Sequence, residues 1–378
     1  MVTSLCPYFN RCGGCTAQNI EYKQQLNNKK QWIIKGLDLS HSEHSSGTPL
    51  EVQVFSAQEY HYRNRMDFIV KNGKIGLRSR DNASDLIDIE ECPIAEIRIN
   101  ELLIEVRDFF KKKELLRQDI IYYIVIRTTS LDDSSLSFTL NEESTKIKEA
   151  QDLIREFSAT TSAKNVLITY TNPENDDSIS TDFFAVKGVE NLKERYLNKT
   201  FFFSVQGFFQ NNTEMAKKMH EYVHQLLQKY PPKQAYLLDL YAGVGTFGII
   251  NADLFKEVTI VESFAPGIET AKLNLEENNI KNAQALVLDA KNLRKVKLRF
   301  PLYVITDPPR IGMDEKTIQQ LKELKPEVII YVSCNHQQLA KDVLKFKEYE
   351  IKSVAVFDLF PQTAHLETVV ELIKREIK

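Results

Sequence analysis

Short apolar runs separated by polar segments dominate the second half of the chain. They occupy residues 237–240, 258–261, 285–288, 302–305, 328–331, 351–357 and 367–373. Apolar, β-branched runs of this length are typical of strands buried on both faces of a parallel sheet. Helices are predicted at about 213–228 and 336–345. The pattern therefore predicts an α/β fold with a Rossmann-like sheet.

The first half mixes helices, strands and polar turns. A helix is predicted at 16–36, a polar loop with two exposed histidines at 41–49, and a hairpin around Asn72-Gly73. Further helices are predicted at 96–113 and 144–157, and further strands at 120–129, 135–140, 165–170 and 181–186. We expect an α+β domain over residues 1–200 and the Rossmann-like domain over 201–378.

Composition narrows the class of protein. The chain has 378 residues and a formal net charge of −3, so contact with nucleic acid would require local basic patches. The hairpin that carries Arg63, Arg65, Arg78 and Arg80 offers one, although an ordinary solvated sheet face would have the same pattern. No apolar run approaches the roughly 18 residues of a membrane helix, and the N-terminus lacks the apolar region of a signal peptide. We expect a cytoplasmic monomer.

Four of the five cysteines form one candidate metal site. Cys6, Cys12 and Cys15 are clustered near the N-terminus, and Cys92 is remote and followed by a proline. Four thiolates can hold zinc or an iron–sulfur cluster. Zinc sites favour two short cysteine pairs, and only one is present here, so the spacing favours a 4Fe–4S cluster, with zinc and free thiols as the alternatives. An odd number of cysteines argues against a disulfide framework.

The fifth cysteine, Cys334, directly follows the predicted strand at 328–331. Asp307 follows the strand at 302–305, and ligands bind at the carboxyl ends of strands in open α/β sheets. If the two strands are neighbours, Cys334 and Asp307 share one small site. Glu367 opens the last strand and is a candidate general base. The alternatives are a buried structural thiol at Cys334 and a surface charge at Glu367.

Residues 239–248 combine a strand end, a glycine turn and a helix start. Such glycines let the backbone approach a nucleotide, and an acidic residue after the next strand, here Glu262, can bind ribose hydroxyls. A nicotinamide dinucleotide is therefore one candidate ligand. Asp239 within the strand and Tyr241 in the loop favour S-adenosylmethionine, and Asp289 after the third strand is suited to an adenine amino group. Gln210, before the helix at 213–228, belongs to a polar segment that helix capping explains only in part.

Taken together, these segments resemble the RNA uracil-5 methyltransferases that use S-adenosylmethionine. The shared features follow one another along the whole chain: the four cysteines, residues 62–64, 209–212, 239–248, 307–310 and 333–335, and His365-Leu366-Glu367. The chain has Ala242 and Thr246 where many relatives have Cys and Asn. It also begins close to the cysteines, so we expect it to lack the N-terminal β-barrel of some members.

The resemblance implies roles for individual residues. It implies a 4Fe–4S cluster on Cys6, Cys12, Cys15 and Cys92, with Cys334 as the nucleophile and Glu367 as the base. For the methyl donor it implies Gln210, Tyr241, Thr246, Glu262 and Asp307. The layout is most similar to the branch that modifies 23S ribosomal RNA, and archaeal tRNA enzymes share much of it. RNA is thus the expected partner, with 23S rRNA as the preferred target and tRNA as the alternative.

The chemistry of uracil explains why these residue types are needed. Uracil C5 is a poor nucleophile until a thiolate adds at C6 and delivers charge to C5. Asp307 and Arg310 would hold the uracil edge, and Phe208 could stack in place of a base that leaves its stack. Two other classes stay open: an RNA-binding module with a vestigial donor site, and a nicotinamide-dependent oxidoreductase.

Overall fold

The computed structural model describes residues 2–39, 50–111, 113, 120–172, 174–230 and 232–375, so the loop predicted at 41–49 lies outside the described residues. The helices are α1 (Tyr22–Gly36), α2 (Ile97–Phe110), α3 (Ile147–Thr160), α4 (Thr213–Gln228), α5 (Thr246–Asn251), α6 (Ala265–Glu277), α7 (Glu315–Leu324) and α8 (His336–Val343). The strands are β1 (Val52–Phe55), β2 (Arg65–Lys71), β3 (Lys74–Arg78), β4 (Leu86–Asp88), β5 (Ile121–Thr128), β6 (Ser134–Asn141), β7 (Asn165–Thr171), β8 (Phe183–Lys187), β9 (Asn191–Tyr196), β10 (Lys199–Ser204), β11 (Tyr236–Leu240), β12 (Glu257–Glu262), β13 (Ala283–Val287), β14 (Leu302–Thr306), β15 (Val328–Ser333), β16 (Tyr349–Phe357) and β17 (Glu367–Lys374).

The larger sheet has eight strands in the order β1-β16-β17-β15-β14-β11-β12-β13. All neighbouring pairs are parallel except those of β17, which runs antiparallel to both β15 and β16. The strand order reverses beside β11, with β12 on one side and β14 on the other. That reversal opens a crevice at the carboxyl ends of the strands, where ligands bind in folds of this kind.

Both faces of this sheet are covered by helices. One apolar core, which includes Phe247 and Ile305, lies on the face that carries α4 and α5. The opposite core, which includes Ile33 and Leu339, lies under α1, α7 and α8. Burial on both faces explains why β14 and β15 are apolar at consecutive positions.

The smaller sheet has seven strands in the order β4-β3-β2-β5-β6-β7-β8, and β9 and β10 form a separate hairpin. Helices α2 and α3 pack on the smaller sheet over a core that contains Phe138 and Phe157. Pairing within this sheet is antiparallel except between β6 and β7, which α3 connects. Part of the N-terminal region instead joins the larger sheet, since β1 pairs with β16 and Ile33 of α1 packs beneath it. The division at residue 200 stays a prediction.

Several predicted elements differ from the observed ones. Residues 16–21 form turns before α1, and the backbone amides of Thr16 and Ala17 bind the carbonyl of Gln362, which removes them from a helical pattern. The helix predicted to residue 113 ends at Phe110. Strand β1 and the hairpin of β9 and β10 were not predicted. Among the described residues, no helix combines the length and the apolar character needed to cross a membrane.

Candidate active site

Three strands of the larger sheet bring Cys334, Asp307 and Glu367 to one edge. Strands β14 and β15 pair in parallel, as predicted, so Asp307 and Cys334 follow neighbouring strand ends. Strand β17 runs the other way, and Thr368 pairs with Ser333. The start of β17, at Glu367, therefore lies beside the end of β15. Opposed strand directions thus place a carboxylate next to a thiol that precedes it by 33 positions in the chain.

The electrostatics of this edge show that the three groups interact. Burial, followed by the Glu367 and Asp307 carboxylates, raises the pKa of the Cys334 thiol to about 11, and Arg310 opposes this shift. Burial also raises the pKa of Asp307 to about 7. The pKa of Glu367 lies well above its usual range because of burial and then Asp307, and Arg310 again opposes the shift. Two buried carboxyl groups so placed disfavour simultaneous ionisation, so the pair tends to keep a proton.

Helix α8 fixes the loop that carries Arg310. Asn335, directly after the thiol, caps α8 by accepting from the amides of Gln337 and Gln338, and its amide donates to the carbonyl of Arg310 at 2.8 Å. A Cβ at Gly312, where φ is +82°, would lie 2.5 Å from the Asp342 carboxylate. That turn therefore requires glycine.

Arg310 and His365 meet at the mouth of the site, where Arg310 Nη2 lies 3.1 Å from His365 Nδ1. Because a guanidinium can only donate hydrogen bonds, His365 Nδ1 accepts, and the neutral ring carries its proton on Nε2. Burial, followed by Arg310, lowers the pKa of His365, which keeps the ring neutral at physiological pH.

The glycine turn after β11 lies at the carboxyl end of a strand that pairs with β12 on one side and β14 on the other. Asp239 Oδ2 accepts from the Gly248 amide at 2.7 Å, and Glu262 Oε2 accepts from the Gly243 amide at 3.1 Å. At Gly243, where φ is +54°, an added Cβ would have no described atom within 4 Å, so this backbone faces open space. Asp239 Oδ1 is buried without a hydrogen-bond partner among the described residues, and burial raises the pKa of this carboxyl to about 8. The open space at Gly243 and the unsatisfied Asp239 oxygen suit a polar ligand.

Three further residues predicted to bind the methyl donor lie in or near this turn, and they differ in burial and in their partners. Tyr241 has a positive φ and packs partly against the core below α7, and Thr246 is the half-buried first residue of α5. Asp289 caps the next turn and pairs with Lys291 at 2.7 Å. Hydrogen bonding to Lys291 holds the pKa of Asp289 below its usual value.

Gln210 lies in a segment held by Asn64. The Asn64 amide donates to the carbonyl of Gln210 at 3.0 Å and to the hydroxyl of Thr213 at 2.9 Å. Asn212 caps α4, so helix capping does explain this one residue of the polar segment. Phe208 is 74 % exposed, as expected for a side chain available for stacking.

The four N-terminal cysteines line one cavity. Cys6, Cys12, Cys15 and Cys92 share a cavity of about 170 Å³, several times the ~30 Å³ that a water molecule takes up in the liquid. Within the described residues, no group of three or more His, Cys, Asp or Glu side chains forms a site for a metal ion. Burial raises the pKa of Cys15 to about 11 and that of Cys92 to about 12, and neighbouring cysteines add to both shifts. Deprotonating these thiols would therefore need a positively charged group between them.

The predicted basic hairpin is partly neutralised. Arg65 forms a two-bond ion pair with Asp67, and Arg78 pairs with Asp176. Arg80 donates to the carbonyl of Cys15. Part of the positive charge of these arginines is therefore used within the protein, in contacts that stabilise the cysteine segment and the smaller sheet, and the rest is available to a nucleic acid.

Comparison with known proteins shows which family this arrangement belongs to. The family model described as tRNA (uracil-5-)-methyltransferase matches residues 21–375. The chain belongs to this family. An uncharacterized RNA methyltransferase of Caldanaerobacter subterraneus is 31% identical over 97% of this chain and 84% of its own length. The tRNA (uracil(54)-C(5))-methyltransferase of Pyrococcus horikoshii is 30% identical over 98% of this chain and 86% of its own length.

A solved structure confirms the fold. The tRNA (uracil-54, C5)-methyltransferase of Pyrococcus abyssi, in complex with S-adenosyl-L-homocysteine, matches with a TM-score of 0.77 at 27% identity, over 95% of this chain and 86% of that one. The expected α/β methyltransferase fold and RNA uracil-5 methyltransferase family are thus confirmed. The roles of individual residues stay predictions.

Sequence reasoning missed the residues that support the site. Gln25, Lys29 and Tyr62 each bind the turn between β16 and β17. Tyr62 was noticed only as part of a shared motif, and Gln25 and Lys29 only as polar members of a helix. A lysine at a position that faces the core of an amphipathic helix is the signal that could have found Lys29, which is 1% exposed.

Proposed function

We propose that the chain transfers a methyl group from S-adenosylmethionine to C5 of a uridine in RNA through a covalent adduct on Cys334. The observation that carries the proposal is the meeting of Cys334, Asp307 and Glu367 at one sheet edge, in a chain of the uracil-5 methyltransferase family. The family model favours this reaction over that of a nicotinamide-dependent oxidoreductase.

In the proposed reaction, Cys334 Sγ releases its proton to solvent and bonds to uracil C6, and the π electron pair of the C5–C6 double bond moves to form an enolate. S-adenosylmethionine, when bound, would supply an electrophilic methyl group; C5 takes this group as its bond to the sulfonium sulfur breaks, and neutral S-adenosyl-L-homocysteine would leave. Glu367 then removes the C5 proton, the electron pair restores the C5–C6 double bond, and the bond between C6 and sulfur breaks. Cys334 leaves as a thiolate and takes up a proton again.

The surrounding charges fit these steps. At rest the raised pKa of Cys334 keeps the thiol protonated and unreactive. A cation bound at this edge would lower the pKa values of Cys334, Asp307 and Glu367 together, since a nearby positive charge favours each ionised form. Asp307 and Arg310 would hold the polar edge of uracil, and Phe208 would stack where the base has left.

For the methyl donor we propose contacts from Gln210, Tyr241, Thr246, Glu262, Asp289 and Asp307. Open space at Gly243 and the unsatisfied Asp239 oxygen support a ligand beside the glycine turn after β11. The S-adenosyl-L-homocysteine in the Pyrococcus abyssi structure supports the same class of ligand.

For the RNA target, two candidates have separate support. The cysteine layout resembles the 23S ribosomal RNA branch. The named relatives from Pyrococcus act on uridine 54 of tRNA. We propose that the enzyme acts as a cytoplasmic monomer in which residues 1–200 serve mainly RNA and residues 201–378 carry the chemistry.

We further propose a 4Fe–4S cluster on Cys6, Cys12, Cys15 and Cys92. Four thiols around one cavity of about 170 Å³ fit a group larger than a single ion, and zinc is the alternative. Iron, sulfide and zinc analysis of anaerobically purified protein separates the two, with Cys92→Ser as the variant that should lose the metal.

The test of function is methyl transfer from labelled S-adenosylmethionine to total RNA, followed by separation of ribosomal RNA from tRNA. Label in 5-methyluridine supports the activity, and the labelled fraction identifies the target. Cys334→Ala should abolish transfer, and Glu367→Gln should trap a protein–RNA adduct on denaturing gels. Methylation by the Cys334→Ala variant would refute the nucleophile.

A further inference from the structure

The turn between β16 and β17 delivers Glu367 to the site. It spans residues 358–366, and residues far away in the chain hold its backbone. The carbonyl of Leu359 accepts from the Asn212 amide, that of Phe360 from Lys29, that of Pro361 from the Tyr62 hydroxyl, and that of Gln362 from the amides of Thr16 and Ala17. Four consecutive carbonyls are therefore fixed from outside the turn.

The cysteine segment forms one side of this contact. Thr16 and Ala17 directly follow Cys15, and their amides lie 2.9 and 3.0 Å from the carbonyl oxygen of Gln362. Cys15, which lines the cavity of the four cysteines, is thus followed directly by the two residues that bind the turn before Glu367.

Helix α1 forms the other side. Gln25 accepts from the Gln362 amide at 3.1 Å and donates to the Gln362 side chain at 2.9 Å. The same Gln25 amide nitrogen donates to the carbonyl of Ala17 at 3.0 Å, so it joins the cysteine segment to the turn. Lys29 forms an ion pair with Asp358 at 2.5 Å, with both side chains at most 1% exposed.

These contacts continue towards the catalytic edge. Gln362 has a φ of +66°, a conformation that a residue with a side chain adopts only when its surroundings enforce it. The Thr363 hydroxyl donates to the carbonyl of Phe360 and accepts from the amide of His365, which touches Arg310. Glu367 comes two residues later, as the first residue of β17.

We propose that Gln25, Lys29, Tyr62 and the segment after Cys15 form a clamp that positions Glu367 for removal of the C5 proton. Gln25, Lys29 and Tyr62 bond to the turn itself, whereas Cys334 follows β15, which pairs with β14 as well as with β17, and precedes the cap of α8. Loosening the clamp therefore slows release of the adduct more than its formation. This inference rests on the proposed function, since removal of the C5 proton by Glu367 is one step of the proposed reaction.

Two clamp variants and one matched control test the proposal. Gln25→Met removes the hydrogen bonds to Gln362 and Ala17 at similar volume. Tyr62→Phe removes only the hydroxyl that binds Pro361 at 2.9 Å in a buried site. The control is Tyr349→Phe, which removes an equivalent buried bond from a tyrosine hydroxyl to the carbonyl of Pro326, at 2.7 Å, away from the clamp.

Two RNA substrates separate the two steps. On RNA that contains 5-fluorouridine, the base cannot remove fluorine as it removes a proton, so adduct formation reports attack and methyl transfer alone. On unmodified RNA, adduct that persists on a denaturing gel reports slow proton removal. Thermal melting of each variant shows whether it is folded.

We expect Gln25→Met to lower turnover about 10- to 100-fold, because a displacement of about 1 Å has effects of that size. Tyr62→Phe should lower it about fivefold, the value of one buried hydrogen bond. Both should accumulate adduct on unmodified RNA and form the fluorinated adduct at the wild-type rate, and the control should match the wild type in both. If Gln25→Met does not fold, Tyr62→Phe decides.

Folded clamp variants that leave no adduct on unmodified RNA, or that lose both steps equally, overturn the clamp. If Glu367→Gln traps adduct in the same experiment, the proposed function survives that result. If Cys334→Ala still methylates RNA, the proposed function itself fails. The two failures are therefore distinguishable.

Discussion

The resting state of Cys334 offers a quantitative test of the site. With a thiol pKa of about 11, the reaction of Cys334 with iodoacetamide should keep rising through pH 10, about tenfold per pH unit, since only the thiolate reacts. Glu367→Gln removes a carboxylate that raises this pKa. We therefore expect the variant's rate profile to shift to lower pH.

Two opposing effects set the rate at which Cys334 should be alkylated relative to an exposed thiol. At pH 8 a thiol of pKa 11 is ~0.1% ionised, against ~10% for a thiol at the ordinary value near 9.0. The more basic thiolate is intrinsically more nucleophilic, by a factor of roughly ten for two pKa units. Cys334 should thus react about tenfold more slowly than an exposed free thiol at this pH, and the pH at which the alkylation rate stops rising is the more diagnostic quantity.

The assay is alkylation for fixed times between pH 7 and pH 10.5, followed by proteolysis and mass spectrometry of the peptide that contains Cys334. Circular dichroism at each pH confirms that the fold persists. A plateau that begins at or below pH 9 in the wild type would refute the reasoning from burial and neighbouring carboxylates. An unchanged profile in Glu367→Gln would show that burial acts alone.

Three further predictions concern stability and ligand binding. His220 is fully buried and its pKa is lowered from 6.5 to about 3, so the unfolded chain binds more protons than the folded one below pH 6.5. The free energy of unfolding therefore falls as the pH drops from 6.5 towards 3, by about 2 kcal/mol between pH 6.5 and pH 5. Urea unfolding at several pH values should show a smaller fall for His220→Phe than for the wild type. Lys29→Met should cost about 3–5 kcal/mol by leaving the buried Asp358 carboxylate with the Tyr22 hydroxyl but without its cation, and the double variant with Asp358→Leu should recover most of it in the same assay. Gly248→Ala should cost about 1–3 kcal/mol, because its Cβ would lie 2.8 Å from Ile260, and calorimetry should show weaker binding of S-adenosyl-L-homocysteine.

The sequence allowed the sheet edge that holds Asp307 and Cys334 to be predicted because its signals are local. Uninterrupted apolar runs identify strands buried on both faces, and the first polar residue after each run marks the edge where ligands bind. Asp307 and Cys334 were found in this way, and the pairing of β14 with β15 confirms that they are neighbours. Glu367 was found only as a residue that opens a strand, since no local pattern reports that β17 is antiparallel.

The supporting contacts could not be predicted for the same reason. Lys29 and Asp358 form a hydrogen bond across 329 positions of the chain, and nothing near either residue in the sequence identifies the other as its partner. Residues 191–204 were missed although they alternate between buried and less buried positions in β9 and β10. That alternation is a strand signal that the aromatic run at 201–203 obscured.

The antiparallel direction of β17 has a consequence for the chemistry. A parallel strand at that position would bring its carboxyl end to the site, and its first residue would lie at the opposite edge of the sheet. Reversal brings the first residue, Glu367, to the thiol, and the turn that precedes it becomes part of the wall of the site. The proposed nucleophile and base therefore have different immediate neighbours: Asn335 beside Cys334 caps α8, and Gln25, Lys29 and Tyr62 bind the turn before Glu367. Substitutions in the cap of α8 should change formation of the adduct without changing its release. Substitutions in the N-terminal residues that bind the turn should change release of the adduct without changing its formation.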